Sequence, residues 1–150
     1  MRRALLVILS TFAVYSSIQA QSLTVFRSPW TISETVKRVE YNLQKKPVDA
    51  GDITKSVNLI GKETSRSDSV MVVSFTDEQI NNDLLACEPT AVVDLPQKIV
   101  VWRENGDVYL GYMDPYFMKK RFLITGCDET IEEMTRRLLK IVKETIRVSE

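Results

Sequence analysis

The residue types available for chemistry in this 150-residue chain are few, and one absence narrows them further. There is no histidine, the commonest general base and the commonest zinc ligand. Ser-His-Asp and Cys-His catalysis, His-bound haem and ordinary catalytic zinc sites are therefore excluded. Five glycines in the whole chain form no Gly-rich phosphate loop. Two features remain: a pair of cysteines, Cys87 and Cys127, and a polar-aromatic stretch from Tyr112 to Arg121.

Cys87 and Cys127 are separated by 40 positions. In an oxidising compartment two such residues pair as a disulfide; otherwise they serve as two buried small hydrophobes. A redox-active pair is a third reading, although no Cys-x-x-Cys spacing supports it. Tyr112, Asp114 and Arg121 are candidates for holding a polar ligand, because a carboxylate beside a cation and a phenol offers both charge and hydrogen bonds. The competing reading is local: Asp114 caps the next helical turn, and Lys119, Lys120 and Arg121 are solvated. Glu34, Glu132 and Glu133 fall at helix starts, where carboxylates serve caps and the helix dipole, and Asp94 suits the orientation of a turn. No residue is assigned a catalytic role, and no metal or cofactor is expected.

The elements that must position these groups are legible from periodicity. Leu23–Phe26 reads as a first strand. Thr31-x-x-Glu34 is a capping box, and Ile32, Val36, Val39 and Leu43 follow on one helical face. Val57–Ile60 suggests a strand. Val70–Phe75, apolar on both faces, predicts a central strand. Thr76-x-x-Gln79 suggests a second capping box before a short helix that turns Ile80, Leu84 and Leu85 inward. Asn105-Gly106 between two β-rich runs is the strongest short signal for a two-residue type I′ hairpin. That turn sets Trp102 opposite Tyr109, Val101 opposite Leu110, Val100 opposite Gly111 and Ile99 opposite Tyr112. One hairpin face then carries Ile99, Val101, Val108, Leu110 and Tyr112, and the other carries Val100, Trp102, Tyr109 and Met113. Pro115 opens a helical turn. A last helix starts at Asp128, acidic first and basic later, as the helix dipole favours, with Ile131, Met134, Leu138, Ile141 and Val142 inward.

The first twenty residues read as an address. Met1-Arg2-Arg3, the uncharged apolar run from Ala4 to Val14, and small residues up to Ala20 make a secretory signal peptide. The run is too short to span a bilayer. The expected organisation is a signal peptide over residues 1–20 and one domain over 21–150, exported to the periplasm or beyond, with no membrane span after removal of the leader. The charges of the whole chain balance to zero, so no global field draws it to nucleic acid, and Lys119-Lys120-Arg121 is too short a basic run to count as a patch.

The stretch Asp94-Leu95-Pro96-Gln97-Lys98-Ile99-Val100-Val101-Trp102, a turn containing Gly106, and Val108-Tyr109-Leu110-Gly111-Tyr112-Met113-Asp114-Pro115 resembles the core signature of the DUF302 family, a domain of unknown function. The early and late helices fit the same pattern. Two features depart from it: Phe75 runs into Thr76-Asp77-Glu78 where the family has a Phe-Gly-Asn-Pro turn, and the histidines common in the family are missing. The resemblance implies an α+β, two-layer domain with an antiparallel sheet, often dimeric, and no established activity. The expected fold is such a sheet with helices on one face. The expected function is that of an exported, non-enzymatic binding or interaction module of the cell envelope, a homodimer through Val100, Trp102, Tyr109 and Met113, with another envelope protein or a small molecule as further partners. The alternatives are a small-ligand protein or enzyme using Tyr112, Asp114 and Arg121, or a thiol redox protein using Cys87 and Cys127.

Overall fold

The structure, a computed structural model, describes residues 22–45 and 70–148. The expected leader and the expected strand Val57–Ile60 lie outside those residues. Among the described residues four strands form one antiparallel sheet: β1 (Leu23–Ser28), β2 (Val70–Phe75), β3 (Gln97–Glu104) and β4 (Asp107–Met113), in the order β1-β4-β3-β2. The helices described with them are α1 (Ile32–Gln44), α2 (Glu78–Cys87), α3 (Pro115–Arg121) and α4 (Asp128–Ile146). A 3₁₀ turn, Pro89–Asp94, leads from α2 towards β3 through a cis Leu95–Pro96 bond. The result is the expected α+β arrangement, an antiparallel sheet with its helices on one face.

The hairpin has the expected register, with Trp102 opposite Tyr109 and Ile99 opposite Tyr112. Asn105 and Gly106 both have positive φ, 54° and 87°, as a type I′ turn requires. Alternation along the strands then decides what is buried. Ile99, Val101 and Leu110 are fully buried and Tyr112 nearly so. They meet Ile32, Val36, Val39 and Leu43 of α1 and Ile131, Met134, Leu138, Ile141 and Val142 of α4 in one core.

Helix α1 starts as its sequence demands, with Thr31 Oγ1 accepting the Glu34 N–H at 3.3 Å. The Glu34 carboxylate turns forward to Arg38 Nε at 2.9 Å and forms an i,i+4 pair. The second cap differs from expectation. Asp77, not Thr76, caps α2, its Oδ1 accepting the Ile80 N–H at 3.3 Å. A carboxylate can do two things here that a hydroxyl cannot do together. Asp77 Oδ2 also receives Arg137 Nη1 of α4 at 2.6 Å, and Arg137 Nη2 reaches Gln79 Oε1 at 3.1 Å. The cap of α2 is thereby tied to α4.

The apolar run Val70–Phe75 predicts a central strand, but among the described strands β2 lies at an edge of the sheet. Its two faces are apolar for different reasons. Met71, Val73 and Phe75 stand opposite Val101, Ile99 and Gln97 on the helix side, whereas Val70 and Val72 stand opposite Trp102 and Val100 on the other.

Candidate functional site

Two features of the sheet have functional potential: the face the helices leave open, and the end where the middle strands part. On the open face, Val100, Trp102, Tyr109 and Met113 are all half-buried, as the hairpin register predicts. Trp102 and Tyr109 stack with ring centroids 5.7 Å apart. The flanking strands extend this surface, with Val70 and Val72 on one side and Leu23 and Val25, 42% and 46% exposed, on the other. A Cβ at Gly111 would lie 3.5 Å from Trp102 Cη2 and 3.0 Å from the Thr24 carbonyl oxygen, so the glycine lets the indole lie close over the sheet. Charges sit at the margins: Lys98 at one end, and Arg27 paired with Asp107 at 2.6 Å at the other.

The second feature follows from the ladders. The β3–β4 ladder ends at Ile99 and Tyr112. Beyond it Gln97 stays with β2, opposite Phe75, while the Asp114 N–H donates to the Ser22 carbonyl beside β1 at 2.9 Å. A fork opens between the two middle strands, and a cavity of about 170 Å³ occupies it. Its lining is mostly apolar: Leu23, Val100, Met113, Met118, Met134 and Leu138, with Tyr112, Gln97, Lys98 and Asp94 as the polar members.

The three residues proposed from the sequence as a ligand site take separate posts around this fork. Tyr112 lines the cavity. Arg121 grips Asp94, which also lines it, with Nη1 3.1 Å and 3.3 Å from the two carboxylate oxygens. Asp114 caps α3, its Oδ1 accepting the Tyr116 N–H at 2.9 Å. Lys119 pairs with Asp128 instead. Sequence reading missed Gln97, Met118 and Met134. Gln97 carried a signal, since a polar residue at an inward position of a β-run breaks the alternation. The methionines carried none beyond their place on apolar stripes.

Burial is the main cause that raises the Tyr112 pKa above its ordinary value; a hydrogen bond with Thr24 lowers it and the negative charge of Asp114 raises it further. The buried ring therefore resists ionisation that the unfolded chain allows. Stability from this group is complete below about pH 10 and falls as the pH rises through the higher folded value. Tyr112→Phe should shrink the alkaline loss of melting temperature between pH 9 and 11, compared with wild type in the same buffers. An unchanged pH profile would remove Tyr112 as its source.

The cysteines come together where α2 ends and α4 is about to begin, with Cα atoms 6.4 Å apart, within the range a bridge spans. Cys127 is buried and Cys87 exposed. Among the described residues no helix is long and apolar enough to cross a membrane.

An antiparallel sheet with helices on one face defines a small α+β domain. The family model "Domain of unknown function DUF302" matches residues 24–144, and the chain belongs to that family. No curated protein matches it. Among solved structures it is similar to the uncharacterized conserved protein DUF302 from Bacillus stearothermophilus, at 18% identity and a TM-score of 0.72, over 85% of this chain and 100% of the other. That likeness extends to the fold.

Proposed function

We propose that the chain is an exported binding module of the cell envelope that has no catalysis of its own and associates as a homodimer through the open face of its sheet. The observation that carries the reading is the apolar stretch from Val70 and Val72 across Val100, Trp102, Tyr109 and Met113 to Leu23 and Val25, with charges at its margins. Contiguous apolar surface of this kind marks interaction sites, and an aromatic centre within a polar rim is the anatomy of an interface. Export is supported by the basic start, apolar run and small residues of positions 1–20. With export, the Cys87–Cys127 pair is oxidised to a disulfide.

Native mass spectrometry of the protein recovered from the cell envelope tests export and association together. The expected species begins at or near Gln21 and has twice the mass of one chain. Trp102→Ala is expected to shift the population to monomer while its melting temperature stays within a few degrees of wild type at matched monomer content. A monomeric wild type, or a variant that unfolds before it dissociates, would reject the interface. Full-length chain beginning at Met1 outside the cytoplasm would reject the leader.

A further inference from the structure

We infer that the Cys87–Cys127 bridge is a stoichiometric thiol-exchange site: a thiolate entering the groove between α2 and α4 bonds to Cys87 Sγ and expels Cys127. The inference rests on the oxidised pair of the proposed exported form.

Access decides which sulfur is attacked. Cys87 is the last residue of α2 and is exposed, whereas Cys127 is only 5% exposed. Exchange rates follow access to the sulfur, and access favours Cys87.

Charge decides the same way. The sulfur with the more stable thiolate leaves faster. Cys127 occupies the N-cap position of α4, and no side chain caps the N–H groups there. The positive end of a helix dipole lowers the pKa of a thiol. Cys87 sits at the negative end of α2, and Glu88 follows it, which opposes a thiolate at that sulfur. The two helix ends therefore polarise the bridge in one direction. The step balances: one S–S bond forms between the incoming sulfur and Cys87, the Cys87–Cys127 bond breaks, and Cys127 takes the electron pair. Once protonated, Cys127 Sγ has the Asp83 carbonyl oxygen 3.9 Å away to accept its S–H. A second thiolate attacking the mixed disulfide leaves both cysteines reduced.

The groove then selects the thiol. Both cysteines line it, and its volume of about 950 Å³ is ample for a small molecule or an inserted side chain. Four carboxylates, Asp83, Glu129, Glu132 and Glu133, face two guanidinium groups, Arg136 and Arg137. Both guanidinium groups pair with Glu133. Among the described residues Asp83, Glu129 and Glu132 have no ion pair. The negative field disfavours an anionic thiol and draws one that carries a positive charge. The substrate class is a cationic thiol.

The test starts from wild-type protein whose thiols resist alkylation after denaturation. Cysteamine, 2-mercaptoethanol and 3-mercaptopropionate then present a thiol beside a positive, a neutral and a negative group. Brief exposure, acid quench, alkylation and peptide mapping should find about tenfold more mixed disulfide on Cys87 than on Cys127. Each rate is divided by the same thiol's rate with hydroxyethyl disulfide, which removes differences in nucleophilicity. The normalised cysteamine rate should exceed that of 3-mercaptopropionate about three- to tenfold at low ionic strength and draw level in about 1 M salt. Glu129→Gln/Glu132→Gln should lose most of that preference and keep the selectivity for Cys87. A bridge that stays intact until the protein is denatured, adducts shared equally between the cysteines, or equal normalised rates would overturn the assignment and leave the disulfide standing. Alkylation of both thiols before any reductant is added would overturn the oxidised pair and the exchange together.

Discussion

Leu110→Ala should cost the fold about 2–5 kcal/mol, whereas Trp102→Ala, on the next strand but the opposite face, should act mainly on association. Leu110 is fully buried, lies between Phe26 and Val101 on its two neighbouring strands, and belongs to the core that α1 and α4 close. Truncation removes the transfer free energy of the side chain and leaves a void that a sheet bonded on both sides cannot collapse to fill. Domains of this size have about 5–15 kcal/mol in total, so the variant should melt well below wild type or fail to fold. Denaturant unfolding with the slope held common to both proteins measures the difference. A loss below about 1 kcal/mol would mean that the helix side of the hairpin is not the core.

Reduction of the Cys87–Cys127 pair should have the next largest effect. Closing a loop with a separation of 40 positions lowers the entropy of the unfolded chain, and in the chain-entropy model this stabilises by about 4 kcal/mol. At roughly 3–4 °C per kcal/mol for a domain of this length, the melting temperature should fall by roughly 10–15 °C. The loss should appear on adding a phosphine reductant to the wild type. It should be absent on adding the same reductant to Cys87→Ala/Cys127→Ala, which already melts low. Identical wild-type melts with and without reductant, together with labelling of both thiols after denaturation, would show that the cysteines act as two small hydrophobes.

The local elements were readable because local rules govern them. Thr31 caps α1 since a hydroxyl three residues before a free N–H suffices. Asn105-Gly106 turns the hairpin since both residues tolerate positive φ, and from that turn the whole β3–β4 register follows. The misreadings arose where a distant residue intervened. Thr76 loses the cap of α2 to Asp77, whose Oδ1 takes the local Ile80 N–H while its Oδ2 takes Arg137, 60 positions away. Val70–Phe75 looked central because an apolar run does not say what covers each of its faces; the open face supplies the reason for Val70 and Val72.

The candidate site divides in the same way. The hairpin period alone placed Val100, Trp102, Tyr109 and Met113 on one face, because side chains alternate strictly along a strand. It also showed that this face is not polar. Only the tertiary structure decided that β1 and β2 widen this face with Leu23, Val25, Val70 and Val72. Sequence likewise offered Tyr112, Asp114 and Arg121 as one group, because they are close along the chain. In the fold each takes a partner of its own, Asp114 a helix N-terminus, Arg121 the Asp94 carboxylate and Tyr112 the core, while the Asp114 charge still acts on Tyr112. The cavity arises where β3 leaves with β2 and β4 with β1, which joins Gln97, Met118 and Met134 from three separate elements. Such a fork has no local signature, since it depends on which ladder ends first, and that is set by long-range pairing rather than by any one strand.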